Sequence, residues 1–198
     1  MLTTLLPALS LSLVLPPLQR TTVRLSTGLE MEWLQQPATA SAASASINNI
    51  LFVHGSLHGA WCWAEHWMGY LSEAGYTVNA VSLRGTSGSP APDGATKVRA
   101  SQHVADLQAF VEGPLASARQ GTAPPVIVAH SFGGAFLYDY LARGHPASGA
   151  AFICPVPPTG NGAMVGRFLR RSPRLAWLVT RGLAFKSVTR STEDARQE

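Results

Sequence analysis

The chain has 198 residues, 46% of them hydrophobic and 13% charged, a balance that excludes a disordered chain and supplies the core of one domain. Its formal charge is +4, but residues 160–198 hold eight Lys/Arg against three acids, so this tail carries +5 and the remainder −1. With the excess confined to the tail and no recognition motif present, no nucleic-acid partner is expected.

Met1–Leu18 is apolar but interrupted by Pro7, Pro16 and Pro17, too short and broken for a good transmembrane helix. A secretory signal opens on basic residues, whereas the first one here is Arg20. The acid-free, Ser/Thr-rich start fits an organellar transit peptide or a frayed extension, and a cytoplasmic or organellar location is read over a secreted one. Cys62 and Cys154 are too few for a disulfide framework and read as small buried hydrophobes in a reducing compartment.

Thr21–Ser26 and Leu29–Leu34 read as a hairpin joined by Thr27-Gly28. Gln36–Asn49, rich in Ala and Ser and without apolar period, reads as a linker loop. Ile50–Val53 is a buried parallel strand, followed by His54-Gly55-Ser56-Leu57-His58-Gly59. His54 and His58 are expected to hold this loop by hydrogen bonds rather than act in catalysis. Ala60–Ala74 reads as one helix closed by Gly75, with Trp61, Trp63 and Trp67 expected to pack the core. Thr77–Ser82 is the next strand. The Gly/Ser-rich loop Leu83–Pro90 has no Walker lysine, so it is not a phosphate loop.

After a loop at Asp93–Thr96, Val98–Glu112 has Val104, Leu107 and Val111 at helical spacing. Asp106 and Glu112 are expected on its solvated face, and Gly113-Pro114 should end or kink it. Val126–Ala129 is a short β-branched strand, His130–Gly134 turns sharply, and Ala135–Arg143 resumes helical spacing. Ala150–Ile153 is the sixth strand, expected as an apolar sheet edge that promotes association of the chain. From Met164 to Val188, apolar residues alternate with arginines. The segment reads as a basic amphipathic stretch that can lie on a membrane surface; the lid implied here by the resemblance named below is favoured over that reading.

Alternating strands and helices imply an α/β fold with a parallel-rich sheet. Ser131, at the tip of a strand–turn–helix with Gly133 two residues on, fits a nucleophile elbow. Ala129 stands where the usual G-x-S-x-G has its first glycine. With the H-G-x-x-H-G-x-W run His54–Trp61, the chain resembles the serine-nucleophile branch of the α/β-hydrolases, in particular plant methylesterase and hydroxynitrile lyase relatives. The resemblance covers about residues 21–158, after a 1–20 extension and before the 159–198 lid start and charged tail. It implies Ser131 as nucleophile and the backbone N–H groups of Ser56 and Phe132 as oxyanion hole. The substrate class it implies is a small acyl compound such as an ester, with neither cofactor nor metal.

The family's acid and histidine follow later strands. After Ser131 the only histidine is His145, at the far end of the elbow helix, and Asp139 lies within that helix. A truncated form of a serine hydrolase, lacking acid and histidine, is therefore the expectation. The alternatives are a non-catalytic binding or regulatory protein that kept the pocket, and a peripheral membrane module. Dehalogenase or epoxide-hydrolase chemistry, which in this fold uses an elbow aspartate, is disfavoured by the serine. The oligomeric state is not legible in the sequence.

Overall fold

The computed structural model describes residues 15–39, 48–91 and 98–177. Six strands form one sheet in the order β1-β2-β4-β3-β5-β6. They are β1 Gln19–Arg24, β2 Glu30–Gln36, β3 Asn49–Val53, β4 Thr77–Val81, β5 Val126–His130 and β6 Gly149–Ile153. β1 and β2 are antiparallel, and β3, β4, β5 and β6 are mutually parallel. The helices are α1 Trp61–Ala64, α2 Trp67–Glu73, α3 Ala100–Glu112, α4 Pro114–Ala118, α5 Phe132–Ala142 and α6 Gly162–Arg171. This is the expected α/β-hydrolase arrangement through its sixth strand. The Asp93–Thr96 loop, most of the linker and the end of the Met164–Val188 stretch lie outside the described residues.

The strand order dictates where the helices sit. The chain steps one way across the sheet from β3 to β4, then back over β3 to β5, and onward to β6. Right-handed crossovers that step in opposite directions lie on opposite faces. Accordingly α1 and α2 cover one face, where Trp63 and Met68 pack on Ile50, Phe52, Val78 and Ala80. α3 and α5 cover the other, where Val104, Leu107, Phe110 and Leu137 pack on Leu51, Val53, Val81 and Ile127. Alternate residues of β3 thus serve two cores, and all five are buried.

Several local expectations are corrected. The hairpin loop is three residues, Ser26-Thr27-Gly28: Leu25 N–H donates to Leu29 O, Gly28 N–H to Leu25 O, and Gly28 takes φ 81°. That combination suits a type I turn followed by a left-handed glycine. The first crossover is two helices rather than one, because His66 leaves helical geometry at φ −141°. Gly75 does close it, at φ 95°, with Tyr76 N–H donating to Leu71 O and Gly75 N–H to Ser72 O, the paired bonds of a Schellman end. Trp63 is buried and stacked on Phe52, whereas Trp61 and Trp67 are about half exposed. Cys154 is exposed and not a buried hydrophobe. β6 is the edge of the sheet, with Ala150 and Ala151 exposed.

Candidate active site

β5 lies between β3 and β6 and delivers Ser131 to the carboxyl end of the parallel sheet, the end where open α/β sheets bind ligands. Ser131 takes φ 53° and ψ −120°. This left-handed conformation is strained for a non-glycine residue, by about 1–3 kcal/mol. Its surroundings hold it there: Ser131 N–H donates to Ile153 O at 3.1 Å, while its carbonyl accepts from Gly134 at 3.0 Å and Val156 at 2.9 Å. The Ser131 hydroxyl has no hydrogen-bond partner among the described residues.

Glycines allow the close approaches the turn needs. A Cβ on Gly133 would fall 2.5 Å from His54 O, and one on Gly55 would fall 2.8 Å from Ser131 Cβ. The loop after β3 therefore lies directly against the serine. Ser56 is the next residue of that loop, and Phe132 is the first residue of α5. Neither backbone N–H has an acceptor among the described residues; for Phe132 that is ordinary in a helix's first turn, while Ser56 lies in the loop. Beside Phe132, a groove of about 630 Å³ runs between α3, α5 and the segment after β6, lined chiefly by Phe132, Phe136, Tyr138, Val156, Pro157 and Pro158.

The histidines near the turn are structural in their contacts. His54 is fully buried, its Nδ1 2.6 Å from Gly55 O, and Leu83 N–H donates to its Nε2 at 2.9 Å. Those bonds assign the proton to Nδ1, so both ring nitrogens are used in tying the β3 loop to the β4 loop, as the sequence reading expects. Burial pushes His54 down to about 4, against a partial upward pull from the Gly55 carbonyl. His58 is exposed, with Nδ1 2.8 Å from Ser56 O and its ring 6.2 Å from that of His130. Burial, with a smaller contribution from His58, lowers His130. His103 stacks on Phe136, and His145 sits 3.5 Å from Glu112 at the far end of α5. Asp139 is half-buried and held by Arg143.

His54 carries a pH signature. Unfolded, it binds a proton below about pH 6.5; folded, it stays neutral until about pH 4. The unfolded state therefore binds more protons in that window, and stability falls as pH drops through it, by about 2 kcal/mol between pH 6.5 and 5. Urea unfolding at both pH values should show His54→Gln losing about one proton's worth of that slope. Equal slopes in the two chains would remove His54 as the source.

Polar residues that the sequence reading missed brace the same loops. Asp106 is not on the solvated face: it is fully buried, and its carboxylate binds Arg84 Nε at 2.7 Å and Nη2 at 2.6 Å. Thr27 Oγ1 donates to the same carboxylate. Buried Glu32 accepts from the Ser82 hydroxyl and from Gly88 N–H, while Ser82 Oγ accepts Ala60 N–H at 2.8 Å. Burial raises the Glu32 carboxyl, but hydrogen bonds from Ser82, Ser87 and Gly88 and the nearby Arg20 outweigh it and hold it below the ordinary range. A chain of contacts thus runs from β2 through the β4 loop to the loop that carries Ser56. Among the described residues no group of His, Cys, Asp and Glu side chains is placed to hold a metal ion.

Residues 50–196 match the Alpha/beta hydrolase family. The chain belongs to that family. Solved structures similar to this α/β-hydrolase include an epoxide hydrolase from Vigna radiata, at 20% identity and TM-score 0.56, covering 78% of this chain and 44% of that one. An epoxide hydrolase variant from Solanum tuberosum matches at 25% identity and TM-score 0.56, over 69% of this chain and 39% of the other. A bacterial membrane phospholipase A matches at 22% identity and TM-score 0.54, over 70% and 40%. The chain spans less than half the length of each of these relatives. No curated protein sequence matches it.

Proposed function

We propose that this α/β-hydrolase carries the nucleophile and oxyanion hole of a serine hydrolase acting on an ester or similar small acyl substrate, with Ser131 as nucleophile and the Ser56 and Phe132 amides as oxyanion donors. The observation that supports this most is the strained Ser131 backbone at the end of β5, with Gly55 packed against it. A residue held in that conformation presents its side chain clear of the sheet, and unbonded amides on either side suit a developing oxyanion. A serine, rather than the aspartate that epoxide hydrolases and dehalogenases of this fold use there, favours acyl transfer. An unassisted serine hydroxyl is a weak nucleophile, and no described histidine bonds Ser131, so turnover by this chain is slow. Residual catalysis from oxyanion hole and binding alone is on the order of 10³–10⁴ over water in triad enzymes.

The test is reaction with p-nitrophenyl acetate, followed by turnover and by mass spectrometry of acid-quenched protein. Expected are slow turnover, little changed by Ser131→Ala, and acetyl transfer to Ser131 at least about tenfold faster than in the urea-unfolded chain. Acetylation of Ser131 no faster than in the unfolded chain would refute the nucleophile and favour a binding protein. Rapid turnover abolished by Ser131→Ala would instead show a base within the chain, with His58 the first to test.

A further inference from the structure

We infer that α6 is a docking helix for an anionic lipid surface. The inference does not depend on the catalytic reading of Ser131. α6 runs from Gly162 to Arg171 and buries none of its residues. At 100° per residue, Met164, Val165, Phe168 and Leu169 fall on one arc, while Arg167, Arg170 and Arg171 fall on the adjoining one. Three of the four apolar residues face solvent, Met164 36% exposed, Val165 39% and Leu169 53%, and Phe168 is half-buried between them.

Among the described residues the charge on the other arc is uncompensated. None of Arg167, Arg170, Arg171 and Arg174 has an ion-pair partner among the described residues. The sequence holds no acid between Asp139 and Glu193. No helix among the described residues is long and apolar enough to cross a membrane, so the mode that fits is a helix lying in the interface. There the apolar arc sinks roughly 5–10 Å into the headgroup–acyl boundary. Arginines along its flank reach phosphate groups while their stems remain in apolar surroundings. A neutral surface would use only half of this design. Acidic headgroups match the other half, which commits the occupant to an anionic bilayer.

The experiment is co-sedimentation of the 198-residue chain with vesicles of phosphatidylcholine alone and of phosphatidylcholine mixed with phosphatidylserine. Binding is expected to the mixed vesicles, to weaken as salt rises, and to fall at least about 20-fold on pure phosphatidylcholine. Reversing Arg167, Arg170 and Arg171 together to Glu should lower partitioning at least about 100-fold. Val165→Asp with Leu169→Asp should do the same while all the arginines remain. These side chains are exposed, so the thermal midpoint of either variant should stay that of the parent. No binding at low salt, equal binding to both vesicle types, or unchanged binding after charge reversal would each overturn the inference. So would a dimer on size exclusion that Leu169→Asp dissolves in a chain that ignores vesicles, since the apolar arc would then belong to a second copy.

Discussion

Asp106→Ala should lower the unfolding free energy by about 3–5 kcal/mol. The Asp106 carboxylate is fully buried, and the Arg84 guanidinium beside it is only 8% exposed. The pair is bidentate, with bonds of 2.7 and 2.6 Å, and Thr27 supplies a third donor from the β1–β2 turn. Removing the carboxylate strands a guanidinium that has been taken out of water, and that penalty sets the magnitude. The pair itself need not be strongly stabilising, because desolvation cancels much of its attraction. Replacing both partners, as Arg84→Met with Asp106→Leu, should therefore cost far less than the single change. Urea unfolding of the three chains reads this directly. A single-variant loss below about 1 kcal/mol, or a double variant as damaged as the single, would show that water reaches Arg84 and that the ion pair is not what holds the β4 loop.

Gly133→Ala should be the most damaging change of a single methyl group. The added Cβ would lie 2.5 Å from His54 O and 2.9 Å from Val53 O. Both are backbone atoms, which cannot rotate away as a side chain would, so α5 must lift from the end of β3. Overpacking of this kind costs about 1–3 kcal/mol. The same displacement separates the Gly55 loop from Ser131, so acetyl transfer to Ser131 should fall to the rate of the unfolded chain even under conditions where the variant stays folded. Gly166→Ala is the matched control: it lies in α6, with nothing within 4 Å of an added Cβ. There the methyl should stabilise the helix by about 0.5–1 kcal/mol. Gly133→Ala retaining both full stability and Ser131 reactivity would mean that β3 and α5 are not held in the close contact described.

The order of elements and the place of Ser131 follow from the sequence alone. Val126–Ala129 is short and β-branched, as a strand is, and the helical spacing that follows leaves the serine at the turn between them. Gly28 and Gly75 each mark a turn that takes positive φ, and local patterns of that kind need no knowledge of distant residues, whereas the demand at Gly133 comes from the distant Val53 and His54 carbonyls. Where local spacing was ambiguous the boundaries shifted: the hairpin took a three-residue loop, and the first crossover broke at His66. The polar interior was another matter. Asp106 lies four residues before Phe110, at the margin of a buried helical stripe, a position whose burial depends on what faces it. Its partners are 22 and 79 residues away. Glu32 likewise meets Ser82 across 50 residues. A carboxylate can enter the interior only where donors converge on it, and that convergence is created by the packing of sheet, loop and helix. Tertiary structure alone decided it, as it decided how closely the loop bearing Ser56, set beside Ser131 beforehand only by the family resemblance, approaches that serine.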